Sequence, residues 1–257
     1  GLEDIFAKAR SRDRVKAYGK LTTIVDGRRL IVDDPPLIQH HPLEEEPELL
    51  EQVFTNYRAT MAQSRREFLE RYRFVDYALK VVGVGSVATR CFIVILAGRG
   101  AGDPLVLQAK EATASVLEPF VGPGEHAHHG QRVVVGQRRI QATPDIFLGW
   151  TRARGRDYYF RQLWDMKGSV DLATLELPDL AFYAGLCGWA LARDHARSGD
   201  AIAISAYLGG KDLFDAAVAD YAEAYADQNE RDHAAYLAAI GEGRVSVTDG
   251  RAGSPGQ

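Results

Sequence analysis

The chain has 257 residues, 46% of them hydrophobic and 26% charged, with a formal net charge of −4. That balance is ordinary for a soluble globular protein with a sizeable core, and the mildly acidic charge argues against the basic face of a nucleic-acid or membrane-surface binder. No apolar run approaches the roughly 18–20 residues of a membrane span, and the opening "GLEDIFAKARSRDR" carries charges where a secretory signal would be apolar.

In chain order, the stretch to Lys20 predicts a short basic helix, and "LTTIVDGRRLIVDDPPLI" predicts a hairpin turning at Asp26-Gly27 and ended by Pro35-Pro36. Over residues 48–72, Leu49, Leu50, Val53, Phe54, Tyr57, Met61, Phe68 and Leu69 recur at helical spacing, predicting one amphipathic helix. Three β-rich segments follow at 77–83, 89–96 and 105–110, joined by tight turns, as in an antiparallel meander. After the loop "GPGEHAHHG" come a helix over 131–142 and two strands around Arg154-Gly155. A helix begins at Pro178 and ends at Gly199, two more cover 211–225 and 229–240, and the small polar tail reads as disordered.

The fold class expected is α+β, an antiparallel sheet with helices segregated around it. The expected divisions are an N-terminal hairpin and helix over 1–76, a β lobe over 77–168, a helical region over 169–240, and the tail from 241 to 257. Two cysteines, Cys91 and Cys187, lie in apolar surroundings and read as buried free thiols, which suits a reducing cytoplasm. Met61 and Met166 are the only methionines, so the chain reads as a processed form or as a piece of something longer.

The stretch "KVVGVGSVATRCFIVIL" sets a glycine turn between strand-forming runs, and such turns bring backbone N–H groups against anions, most often phosphate. Its "GVGSVA" fits the dinucleotide fingerprint, but that site needs a helix after the turn, and "TRCFIVIL" is a strand pattern. A Walker-type loop would need Gly-Lys-Ser/Thr, which is absent here. A glycine-rich hairpin clamped over ATP, as in protein kinases, wants strand, turn, strand and then a strand carrying a lysine. "LVLQAKEA" supplies Lys110.

On that pattern Gly83, Gly85 and Ser86 cradle phosphates and Lys110 neutralises them. Glu118 holds Lys110, with Glu111 behind it, and Gln162, Leu163 and Asp165 line a hinge that meets adenine and ribose. The competing reading is a plain β-turn with Lys110 as a solvated strand end.

These segments also resemble a known family. "KVVGVGSVATRCFIVIL", "DPLVLQAKEA", "GQRVVVGQRRIQATPDIFLGWT", "GRDYYFRQLWDMKGS", "LCGWALARDHARSGD" and "VADYAEAYADQNERD" are similar to domain of unknown function 2252, an uncharacterised bacterial family, from about residue 20 to 245. Members are typically longer and carry upstream "GDxHxxNFG" and "FDxNDFDE"-like motifs. Those resemble the catalytic loop and metal-binding aspartate of aminoglycoside-phosphotransferase-like kinases. The resemblance implies a circularly permuted kinase-like fold, with ATP and magnesium as cofactors and no known acceptor.

Neither upstream motif occurs in this chain. "DHARSGD", with Asp194, His195 and Asp200, lacks the following asparagine, and Asp227 and Asn229 of "DQNERD" fall on a helix. The expectation is therefore the nucleotide-binding portion of a larger phosphotransferase, whose partners are a nucleotide and an upstream segment of the same protein. The alternative is a non-catalytic binding or scaffold protein that keeps such a lobe.

Three further sets read as structural. His126, His128 and His129 sit in a Gly/Pro loop without the ligand spacing of a metal site, and read as a solvated polar loop. His195, flanked by Arg193 and Arg197, suits the C-terminal end of a helix. Tyr158, Tyr159, Phe160, Phe182, Tyr183 and Trp189 read as core, and no G-x-S-x-G motif supports a nucleophilic serine.

Overall fold

The amino-terminal hairpin forms where its Asp-Gly pair predicts. In the computed structural model, which describes residues 14–26, 28–40, 47–83, 88–100, 103–163 and 170–246, helix α1 (Arg14–Leu21) leads into β1 (Thr22–Val25) and β2 (Arg28–Ile31). Asp26 takes φ 49°, a left-handed value that aspartate tolerates. Past Pro35-Pro36 the short β3 (Ile38–Gln39) joins the main sheet.

The single helix expected over 48–72 is two helices, α2 (Pro47–Ala59) and α3 (Gln63–Leu69). No glycine or proline marks the break, because tertiary bonds make it. The Thr60 hydroxyl accepts the Trp150 N–H at 3.0 Å, and the Tyr57 hydroxyl donates to the Phe147 carbonyl at 2.6 Å. Arg66 Nε caps the Arg58 carbonyl at 3.2 Å.

The meander is present as β4 (Arg73–Lys80), β5 (Cys91–Ala97) and β6 (Pro104–Ala112), all antiparallel. A short α4 (Glu118–Val121) and then α5 (His129–Ile140) follow. The hairpin β7 (Gly149–Ala153) and β8 (Arg156–Gln162) turns at Arg154 and Gly155, both at positive φ. The sheet order among the described strands is β3-β4-β5-β6-β8-β7, so α5 carries the chain from β6 past the place that β8 then fills.

The sheet buries both faces, and side-chain alternation decides which residue serves which. On one face Phe92, Val94, Leu96, Leu105, Leu107, Tyr158 and Phe160 pack under Tyr57, Met61 and Leu69. On the other, Ala78, Ile93, Ile95 and Val106 pack under Tyr18 and Leu21 of α1, with Ile31 and Ile38. Each fully buried aliphatic or aromatic side chain stabilises by about 1.5–3 kcal/mol, so two such layers suffice to hold the lobe.

The chain divides into two compact units, residues 1–198 and 199–257. Helix α6 (Leu177–Ser198) closes the first. Phe182 and Trp189 are exposed on it and Tyr183 is half-buried, so these are not the core residues their spacing predicts. Cys187 is exposed as well, whereas Cys91 is buried as expected.

The second unit holds α7 (Ala201–Leu208) and α8 (Leu213–Gly241). Sequence periodicity missed α7, whose N-cap is Asp200, accepting the N–H groups of Ile202 and Ala203. The two helices expected at 211–225 and 229–240 are one, bridged by Gln228 to Asp232 at 2.7 Å. The expected disordered tail beyond residue 246 lies outside the described residues. Among the described residues no helix is long and apolar enough to cross a membrane.

Candidate functional site

The glycine turn connects two strands of one hairpin. β4 ends at Lys80 and β5 begins at Cys91, antiparallel to it, with Gly83 and Ala88–Arg90 described between them. Gly85 and Ser86 lie outside the described residues. A dinucleotide site would send a helix out of this turn, and here a buried strand leaves it, which removes that reading.

Lys110 sits at the base of the turn. It is in register with Cys91 on one side and with Tyr159 of β8 on the other. Period-two alternation puts Lys110, Gln108 and Val106 on one face and Leu107, Ala109 and Glu111 on the other. Lys80 and Arg161 share the Lys110 face, because Ala78, two residues before Lys80, belongs to the core layer of that face and Arg161 is in register with Gln108. All three cations are half-buried.

The charges of all three act on the buried Cys91 thiol. Burial pushes its pKa up, while Lys110, a hydrogen bond with Gln108, Arg161 and Lys80 pull it back. Arg161 Nε donates to the Gln108 side-chain oxygen at 3.1 Å.

The acidic partners expected for Lys110 are engaged elsewhere. Glu118 opens α4 and accepts the Ser115 N–H at 2.9 Å, and no ion pair joins it to Lys110 among the described residues. Glu111 points to the opposite face, where it accepts from Arg156 at 2.6 Å and from the Arg90 N–H at 3.1 Å.

At the expected hinge, the Gln162 N–H is donated to the Asp145 carboxylate and the Leu163 N–H to the Val106 carbonyl at 2.9 Å. Leu163 is buried in the layer under α1. The backbone donors at 162 and 163 are thus spent inside the lobe, and an adenine edge would have to meet residues after them. Asp165 lies outside the described residues.

The histidine-rich segment is not the solvated loop expected: His126, His128 and His129 are half-buried, and His129 opens α5. His128 caps α5 by accepting the Gln131 N–H at 3.2 Å, and Asp157 accepts the His129 N–H at 2.8 Å and Arg152 Nε at 2.6 Å. Burial lowers the His128 pKa against the pull of Asp157. Among the described residues no group of three or more His, Cys, Asp or Glu could hold a metal ion. Arg193 stacks over Trp189 at 4.5 Å and Arg197 donates to the Gln141 carbonyl at 2.9 Å.

Two arrangements escaped the sequence reading. Lys80, Gln108 and Arg161 share the Lys110 face, a signal visible in "LVLQAKEA" and "YYFRQ" once alternation is applied. The other is a clamp, in which His40 bridges Asp33 at 2.9 Å and Asp76 at 3.2 Å while the buried Asp76 also accepts the Ile31 N–H at 2.7 Å. Nothing in the spacing of residues 33, 40 and 76 marks it.

Fold and site together define a mixed antiparallel lobe with a lysine-bearing strand beside a glycine-rich turn. The chain belongs to a family described as an uncharacterized protein conserved in bacteria (DUF2252), whose model matches residues 1–239. No curated protein and no solved structure matches it.

Proposed function

We propose that the lobe binds the triphosphate of ATP between the glycine turn and Lys110, as the nucleotide-binding part of a kinase-like phosphotransferase. The observation that carries this is the register of Lys110 with Cys91, the first residue of the strand leaving the turn. Backbone N–H groups at a glycine turn contact phosphate oxygens but carry no net charge, so a fixed cation beside them is what a triphosphate requires. The succession of strand, turn, strand, lysine strand, helix and two strands supports the same reading, because it is the order of a kinase-like nucleotide lobe.

The described residues fit the phosphates and do not fit magnesium, for which they offer no carboxylate cluster. Magnesium would arrive chelated by the triphosphate, and no transfer step is assigned to these residues. The catalytic aspartate and metal ligands would belong to an upstream segment of the kind the family resemblance implies.

A thermal-shift titration with Mg-ATP tests the binding step. At 100 times its dissociation constant the ligand adds about 2.7 kcal/mol, and Lys110→Met removes the shift while leaving the unliganded melting temperature nearly unchanged. A protein that shows no shift at millimolar Mg-ATP is the non-catalytic lobe instead.

A further inference from the structure

We propose that Lys80 and Arg161 join Lys110 in a three-cation seat for a linear polyphosphate, so that the anionic tail of the ligand, more than its base, carries the affinity. This deepens the ATP reading and rests on it for the nucleoside, though the seat itself is argued from charge.

Four strands build it. Cys91, Lys110 and Tyr159 stand in register across β5, β6 and β8, with Lys80 at the end of β4 beside them and Gln108 and Arg161 in the next row. Register continues Leu79↔Phe92 to place Lys80 beside Cys91, so all three cations lie on rows at or next to the buried Cys91, whose pKa each of them lowers. None of the three makes an ion pair among the described residues, and Arg161 has only the neutral Gln108 oxygen at 3.1 Å.

Among the described residues, the strand carboxylates that face this side are spoken for. Asp76, four residues back along β4, holds the Ile31 N–H and His40. Asp157, in register with Ala112 on the next row, holds Arg152 and the His129 N–H.

Half-buried cations repel one another and lose hydration, so three of them gathered with no acid among the described residues call for a counter-charge, which we assign to a ligand. A monophosphate carries at most about two negative charges near neutral pH. A longer polyphosphate carries enough charge for three cations, and its phosphates can span neighbouring strands about 4.8 Å apart. Tyr159, half-buried in the same row, is oriented to the site by register and offers a hydroxyl donor.

The test is calorimetric titration of the full chain with inorganic tripolyphosphate, pyrophosphate and phosphate, and with ATP, each without and with added magnesium. The expected order is tripolyphosphate above pyrophosphate above phosphate, with affinity weakening as ionic strength rises. Lys80→Met and Arg161→Met should each weaken tripolyphosphate by about tenfold or more, the worth of one charge-assisted contact. Arg161→Lys should recover most of that loss, and circular dichroism of each variant reports folding independently.

If ATP binds and depends on Lys110 while Lys80→Met and Arg161→Met bind like the parent, the seat is refuted and the ATP reading stands. If tripolyphosphate binds through all three cations and ATP binds no better, the seat stands and the nucleotide reading falls. If neither ligand binds, both fall.

Discussion

Gly130, in the first turn of α5, sits closer to the sheet than any side chain could. A Cβ built there lies 2.9 Å from the Tyr158 carbonyl carbon, inside contact of its oxygen, and 3.0 Å from the His128 ring. Carbon–carbon contacts settle near 3.5–4.0 Å, so Gly130→Ala must push the helix off β8 by at least about 0.6 Å. Overpacking of this kind costs about 1–3 kcal/mol. The same displacement loosens the His129 N–H to Asp157 bond, a charged contact worth about 1.5–3 kcal/mol. Alanine returns about 1 kcal/mol of helix propensity, leaving a net loss of roughly 1.5–5 kcal/mol. For a unit of this size that is roughly 3–20 °C in melting temperature.

The control lies in the same helix. Gly136 has nothing within 4 Å of its Cβ position, so Gly136→Ala should stabilise by up to about 1 kcal/mol. Differential scanning calorimetry on both variants gives the comparison. Melting temperatures of the two variants within about 1 °C of each other would refute the close approach of α5 to β8.

Two further outcomes follow from single side chains. Burial alone would lower the His40 pKa, but its hydrogen bonds to Asp33 and Asp76 override burial and raise it. The stability this contributes is complete below about pH 6.5 and is lost as pH rises through the raised value; the difference in urea midpoint between the parent and His40→Gln should shrink over that range, and a constant difference would rule the clamp out. Cys187 is exposed while Cys91 is buried with its thiol pushed up, so a thiol reagent should modify one cysteine quickly in the native chain and the second only after unfolding. Fast reaction of both would contradict the placement of Cys91.

Local signals in the sequence carried much of the lobe. Asp26-Gly27 and Arg154-Gly155 are turn chemistry, and the strands around them follow from alternation. What alternation could not reveal was which face a polar residue meets and who else is there. Lys110 was legible from its place on the third strand, whereas its neighbours Lys80 and Arg161 lie 30 and 51 positions away and meet it only through strand register. The α2–α3 break was illegible for a similar reason, since Thr60 bonds to Trp150 of β7 and Tyr57 to Phe147 just before it, each 90 residues on. Glu118 misled the reading because a glutamate near a lysine in sequence suggests a partner, yet at the first position of α4 it is better used as a local cap.

The two ends of one sheet face obey different rules, and the difference is what gives the lobe a function to propose. Under α1, Ala78, Ile93, Ile95 and Val106 satisfy every demand of a packed core, and the one charge there, Asp76, is fully bonded. A few ångströms further toward the glycine turn, the same strands present Lys80, Lys110 and Arg161 around a buried thiol, where apolar residues would pack as well and cost less. Natural sequences keep local rules consistent with the fold and break them where function requires it. Three cations that no acid opposes among the described residues are such a break, and a bound anion, as proposed above, is what would relieve it.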